Sequence, residues 1–200
     1  MKVWGLVPAK GFDRGKSRLR PALSDEARAA FARAVFDHVL GAALESGVLE
    51  GILVATDSPL VAEAARAHGP PIRVRSDDPG ATTLAEVVDA GLHALAALGA
   101  EAALVLMADL PRLTPADVRE VVLALADPAP CDVALVRAED GAHTNALALR
   151  APARLRTAFG RPESFAMHVE AARAAGLRVA IVENPNIAFD VDGPEDHARI

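Results

Sequence analysis

The sequence predicts an α/β domain of three layers, α/β/α, with helices on both faces of a mainly parallel, mixed sheet. Three observations carry this. Short apolar runs alternate with longer, Ala-rich stretches of helical periodicity. The alternation continues over residues 1–200 without an internal repeat, a low-complexity tract or a linker-like break, so the chain reads as a single domain. Within 131–150 two strand-like runs leave no room for a helix between them, so one antiparallel pair interrupts the parallel pattern.

The elements follow in order. Strands are expected at 3–9 (VWGLVPA), 51–56 (GILVAT), 72–75 (IRVR), 103–108 (ALVLMA), 132–137 (DVALVR), 145–150 (NALALR) and 178–183 (RVAIVE). A long helix follows Ser24, an N-cap with Asp25 and Glu26 in the first turn, and Phe31, Val35, Val39 and Leu40 share one of its faces. Further helices are expected at 59–68, 83–98, 115–126 and 164–175, with a short one from Pro194. The start at 115 is the clearest: Thr114 caps, Pro115 takes the first turn and Asp117 faces the positive end of the dipole.

Composition narrows the function classes. Apolar residues make up 52% of the chain, much of it Ala, and aromatics only 4%, which suits close helix packing rather than an aromatic-anchored binding surface. A net charge of −6 argues against general nucleic-acid affinity. Yet Lys2, Lys10, Arg14, Lys16, Arg18 and Arg20 fall in the first twenty residues against one acid, Asp13, a local basic segment that suits a small polyanion. The lone Cys131 excludes a disulfide framework and a Cys-based metal cluster and fits a reducing compartment. With no apolar stretch of membrane-spanning length and no signal-peptide layout in MKVWGLVPAKG, the expected location is the cytoplasm.

Three stretches carry chemistry. In VPAKGFDRGKSRL, a strand runs into a loop with Lys10, Lys16 and Arg18, and Gly11 and Gly15 permit close backbone approach. Taken alone it reads equally as a solvated basic loop and as a cradle for a nucleoside triphosphate. It is not a P-loop, because Gly15-Lys16-Ser17 follows Gly11 one residue too early. In FDVDGPED, Asp190 and Asp192 are two apart, so in an extended segment both carboxylates face the same way. By itself the pair reads as a helix-start turn with Asp192 as N-cap. With Asp109, which ends the run ALVLMAD at the carboxyl end of a strand where α/β ligands bind, it becomes a three-acid site for Mg²⁺. Nucleotidyl transfer needs such an arrangement, since attacker and leaving group are both anionic and the barrier is largely electrostatic. A phosphate attacker requires no general base, and no Ser-His-Asp set is present. In HTNALALR and FGRPESFAMHVEAARAAG, Thr144 and Asn145 begin a strand, while Gly160 and Ser164 lie beside a helix start that suits a phosphate or carboxylate. Ser164 on its own reads first as a helix cap, and His168 as a packed or solvated helix residue.

Together LVPAKGFDRGKSRLRPAL, MADLPRLTPADV, TNAL and FDVDGPED resemble, in order and over nearly the whole chain, the CofC/FbiD family, the guanylyltransferases of coenzyme F420 biosynthesis. The resemblance implies the nucleotide-diphospho-sugar-transferase (Rossmann-like) fold. It also implies transfer of GMP from GTP to 2-phospho-L-lactate, phosphoenolpyruvate or 3-phospho-D-glycerate with release of pyrophosphate. By position it implies nucleotide contacts from Pro8, Ala9, Lys10, Lys16 and Arg18, with Lys16, Arg18 and Asp109 as catalytic residues. Mg²⁺ would be ligated by Asp109, Asp190 and Asp192, and the acceptor held by Thr144, Gly160 and Ser164. The implied partners are GTP and the phospho-acid, with no nucleic acid and no membrane. A homodimer is compatible, as is hand-over of product to the next enzyme of the pathway. Two stretches depart from the family pattern. TTLAE (82–86) has Ala85 where many relatives carry the amide of GLN, and Ala cannot read a base edge. GRPES carries one residue more than the relatives' GPGS.

Three rival readings exist, one of them a non-catalytic nucleotide binder of the same fold, against which the three acids argue. Molybdenum-cofactor and sugar-phosphate nucleotidyltransferases open on a Gly-rich LAGGxGxRxG pattern from which PAKGFDRGKSRL departs. A HAD-type phosphatase shares DxDG, but there the motif opens the chain, whereas here it lies close to Ile200 with nothing downstream to complete the site.

Overall fold

The computed structural model describes residues 1–76, 80–126 and 130–200. Strand β1 (Val3–Pro8) leads through the basic loop into α1 (Asp25–Glu45). Then β2 (Gly51–Ala55), α2 (Pro59–Ala67), β3 (Ile72–Arg75), α3 (Leu84–Ala97), β4 (Ala102–Leu106) and α4 (Pro115–Leu123) alternate strictly. A hairpin-like pair, β5 (Val133–Arg137) and β6 (Thr144–Arg150), precedes α5 (Ser164–Ala174) and β7 (Val179–Ile181). Two single helical turns, α6 (Pro185–Ala188) and α7 (Pro194–His197), close the chain.

The seven strands form one sheet in the order β3-β2-β1-β4-β6-β5-β7. Only β6 runs antiparallel to its neighbours. The chain winds outward from β1 through β2 to β3, then returns across β1 to place β4 on its other side. That reversal opens a crevice at the carboxyl ends of β1 and β4, where open α/β sheets take ligands. The insertion of β6 between β4 and β5 has a second effect: its amino end, Thr144-Asn145, arrives at that same edge.

Strand alternation divides the core. Leu104 and Leu106 of β4 face α1 and α4 with Val35, Phe36, Val39, Leu40, Val118 and Val121. Ala103 and Val105 face the other side with Leu6, Val88, Leu92, Leu95, Phe159 and Phe165. Burial on both faces explains why β2 and β4 read as unbroken apolar runs. Helix α3 lies so close over β1 that a Cβ on Gly91 would stand 2.7 Å from Leu6 Cδ1.

Helix starts follow the caps in the sequence. Ser24 accepts from Ala27 N, and Thr83 with Glu86 and Thr114 with Asp117 form reciprocal capping boxes. Several expected boundaries move. Strand β4 ends at Leu106 rather than 108; Met107 N still bonds Asn145 O, and the chain leaves the sheet beyond it. Asp109 therefore stands in the loop beyond the strand. Strand β7 is only three residues long, since Asn184 starts α6 by accepting from Asn186 N and Ile187 N. Neither expected cap at a later helix is used. Glu163, not Ser164, precedes α5, and Gly193, not Asp192, precedes α7, with Asp196 reaching back to the Gly193 and Asp192 amides. Among the described residues no helix is long and apolar enough to cross a membrane.

Gly91→Leu should lower the unfolding free energy by about 1–3 kcal/mol in urea denaturation, because the added side chain must displace Leu6 in a filled layer.

Candidate active site

A cavity of about 580 Å³ opens at the crevice. The turn after β1 forms one wall, with Pro8, Ala9, Lys10, Gly11, Lys16 and Arg18. The ends of β2 and β4 contribute Asp57 and Asp109, and the approach to α3 supplies Thr82, Thr83 and Leu84. Asp192 closes the rim. Every residue expected to touch the nucleotide thus lies on one surface.

Asp109, Asp190 and Asp192 each offer a carboxylate oxygen, and these three atoms lie within 4.8 Å of one another. Asp190 and Asp192 project together because the intervening Val191 turns the other way and is buried against Leu19 and Phe189. Lys16 Nζ reaches into the group, 2.5 Å from Asp109 Oδ2 and 2.6 Å from Val191 O. Arg18 Nη1 lies 3.0 Å from Asp192 Oδ2. Burial, then the neighbouring Asp109 charge, push the Asp190 carboxyl up to about 6. All the ligand atoms on offer are hard carboxylate oxygens from converging side chains, a donor set that fits Mg²⁺.

Residues to which sequence alone assigned no such role position these groups. Arg28 of α1 is 2% exposed, and its Nη1 donates to Asp13 O, at 3.1 Å, and to Gly15 O, while its Nη2 donates to Asp25. It ties the basic loop down immediately before Lys16, which adopts a left-handed backbone with φ of +55°. Phe12 anchors the same loop edge-on against Phe36 of α1, centroids 5.6 Å apart. Asn145, buried at the start of β6, donates through Nδ2 to Asp190 Oδ1 at 3.1 Å and to Ile187 O and Ala188 O. Phe189 is held between the guanidinium groups of Arg112 and Arg199, 3.8 and 4.5 Å from its centroid, so the segment carrying Asp190 is clamped across the sheet edge. An Arg on an exposed-looking helix face gives no periodic signal of burial, so Arg28 could not be read from sequence. Asn145 stands in the TNAL stretch, but its partner lies forty-five residues away.

Over residues 1–200 the chain matches the family model described as guanylyl transferase CofC like. The chain belongs to this family. A phosphoenolpyruvate guanylyltransferase of Rubrobacter xylanophilus is 39% identical over 100% of this chain and 94% of its own length. A 3-phospho-D-glycerate guanylyltransferase of Phenylobacterium zucineum is 32% identical over 98% of this chain and 88% of its own. Among solved structures, a Desulfovibrio desulfuricans G20 protein named for nucleotide-diphospho-sugar transfer superposes with a TM-score of 0.78 at 17% identity, covering 96% of this chain and 84% of that one. CMP:2-keto-3-deoxy-manno-octonic acid synthetase complexed with CTP gives 0.66 at 18% identity, covering 100% and 96%. These structural likenesses establish the α/β nucleotidyltransferase-type fold.

In this CofC-like chain the three residues expected to hold the acceptor are not on the cavity wall. Thr144 and Ser164 are buried, and their hydroxyls are engaged inside the protein: Ser164 Oγ accepts from Thr144 N at 3.1 Å, and Thr144 Oγ1 lies 3.0 Å from His168 Nδ1. His168 Nε2 accepts from Ala158 N at 2.7 Å, which assigns the ring proton to Nδ1 as donor to Thr144. The physical reason is the depth of α5, whose Ser164 and His168 point at the sheet. Gly160 is exposed, in a left-handed conformation at φ +80°. A Cβ there would lie 3.2 Å from that of Leu84, a cavity residue, so the 158–160 turn braces the wall from behind. Ala85, where the family pattern has an amide, lies in the first turn of α3 and does not line the cavity.

Two outcomes test this scaffold. Arg28→Met keeps the bulk and removes the donors, and should cost about 2–4 kcal/mol of stability in chemical denaturation. His168 is held neutral by burial, its pKa lowered to about 4. The unfolded chain takes up this proton below about pH 6.5, so stability contributed by neutral His168 is lost as pH falls from there toward 4. Asp190 acts oppositely, its folded state binding the proton more tightly in the same range. Comparing wild type with His168→Gln cancels the Asp190 contribution: the stability difference should shrink by about 2–3 kcal/mol between pH 7 and pH 4.5, read from urea midpoints.

Proposed function

We propose that this protein transfers the GMP moiety of GTP to a small phosphorylated carboxylic acid, releasing pyrophosphate, as a step of coenzyme F420 biosynthesis. Phosphoenolpyruvate, 3-phospho-D-glycerate and 2-phospho-L-lactate, the acids in the names of its relatives, are the candidate acceptors. One observation carries the reading: a cationic turn meets a three-carboxylate cluster from distant parts of the chain at one cavity, whose wall includes Asp109 and Asp192. Residues 1–200 act in it as one nucleotidyltransferase domain.

In this reading an acceptor phosphate oxygen attacks the α-phosphorus of GTP. A new P–O–P bond forms, the bond from the α-phosphorus to the bridging oxygen breaks, and pyrophosphate leaves with that oxygen. Lys10, Lys16 and Arg18, with the Pro8–Lys10 backbone, hold the phosphates in line and offset charge on the leaving group. Asp109, Asp190 and Asp192 would hold Mg²⁺, which when bound supplies Lewis-acid stabilisation of phosphoryl charge. Asn145 fixes the Asp190 carboxylate. Thr144, Gly160 and Ser164 would support the acceptor side from behind Leu84, by shaping the 158–160 turn.

The test incubates the protein with Mg²⁺, each nucleoside triphosphate and each phospho-acid and measures pyrophosphate. GTP with at least one acid should yield stoichiometric pyrophosphate, and orthophosphate in its place would make the protein a hydrolase. Asp109→Asn should keep the fold by circular dichroism and lose at least about 100-fold in kcat. Full turnover in that variant would remove Asp109 from the reaction.

A further inference from the structure

If the base is not read by Ala85, another group must read it. Resting on the guanylyl-transfer reading above, we propose that Asp57 selects guanine by accepting hydrogen bonds from the N1–H and N2–H groups of the base.

The cavity has two ends. Strands β2 and β4 flank β1, so the loops leaving them are separated by two strand spacings, about 10 Å. Asp109 and Asp192 occupy the β4 end with Lys16 and Arg18, which makes that end the phosphate end. Asp57 stands at the other, in the turn between β2 and α2, two residues beyond Ala55. Pro8, Ala9, Ala55, Leu84 and Val87 line the same cavity as small or apolar surfaces, suited to a flat ring.

Three acids occur among the described lining residues, and Asp57 is the one outside the Asp109 cluster. Of the other side chains near it, Lys10 adds positive charge, and the hydroxyls are already committed. The Thr82 and Thr83 hydroxyls both donate to Glu86 Oε2, at 3.1 and 3.0 Å. Thr56 is buried, with its hydroxyl accepting from Ser58 N. Asp57 is half exposed, and Arg14 Nη2 lies 2.5 Å from its Oδ1. That hydrogen bond holds the carboxyl below the usual carboxylate range, so Asp57 is an acceptor only.

Guanine alone among the four common bases presents two adjacent N–H donors on its pairing edge, the pattern a carboxylate accepts with both oxygens. Adenine and cytosine place a ring-nitrogen lone pair beside their amino group, and uracil flanks its single N–H with carbonyls. A carboxylate is repelled by each of those lone pairs.

The experiment compares GTP, inosine triphosphate, which lacks the N2 amine, and xanthosine triphosphate, which carries a carbonyl in its place. Pyrophosphate release with Mg²⁺ and phosphoenolpyruvate gives kcat/KM for each in wild type and Asp57→Asn. Wild type should prefer GTP to inosine triphosphate by about 10- to 100-fold, the worth of a hydrogen bond to a charged group. Asp57→Asn should lose that preference, and its carboxamide should favour xanthosine triphosphate over GTP. An equal fall for all three nucleotides would instead mean that Asp57 contacts the ribose or only holds Arg14, and would overturn the proposal, as would an unchanged ratio. Calorimetric binding of GTP and inosine triphosphate without acceptor reads the same contact independently. Absence of transfer with an Asp57-dependent binding preference would sink the transfer reading alone, whereas transfer with no such preference would sink the base-reading proposal alone.

Discussion

Three carboxylates whose oxygens converge within 4.8 Å repel one another, and much of the surrounding structure is arranged around that repulsion. At an effective dielectric of ~20, two full charges at this distance oppose each other by about 3–4 kcal/mol. The Asp190 carboxyl, raised first by burial, is raised further by it. Lys16 supplies the nearest positive charge, and Asn145 the nearest neutral donor. A cluster of this kind persists only where backbone packing, rather than the carboxylates themselves, determines where the acids stand.

That packing comes from three directions. Strand β4 delivers Asp109 from a run buried on both faces. The closing segment delivers Asp190 and Asp192 by burying Phe189 and Val191 on either side of Asp190 and clamping Phe189 between two arginines. Helix α1 works as a pillar for the basic turn through Arg28 and Phe12, and Leu19 joins that turn to Val191. Lys16 is therefore located by contacts on α1 and the closing segment, which is how a non-glycine residue comes to be held at positive φ.

The inverted strand β6 serves the site as well as the sheet. Had it run parallel, its Thr144-Asn145 end would lie on the far edge, away from Asp190. Running antiparallel, it brings Asn145 to the acid and Thr144 to Ser164 and His168, and so links the metal-type cluster with the 158–160 turn behind Leu84. The neighbours with 17–18% identity share the fold only. Which chemistry it supports is decided by side chains such as these.

The layered α/β class, the order of strands and helices and the antiparallel pair were legible in the sequence, because they rest on local periodicity and capping. Apolar runs, Ser24 and Thr114 act within a few residues of themselves. Asp190 and Asp192 sharing a direction was legible for the same reason, as a property of extended backbone. The tertiary structure alone decided which residues meet: Asn145 with Asp190, Arg28 with the carbonyls before Lys16, and Asp57 with Arg14 on the cavity rim. It also turned the Thr144 and Ser164 hydroxyls inward, toward His168. Such contacts span from 13 to 45 positions of chain, and no local pattern records them, since a hydrogen-bonding side chain looks the same in sequence whether its partner is water or a buried carboxylate.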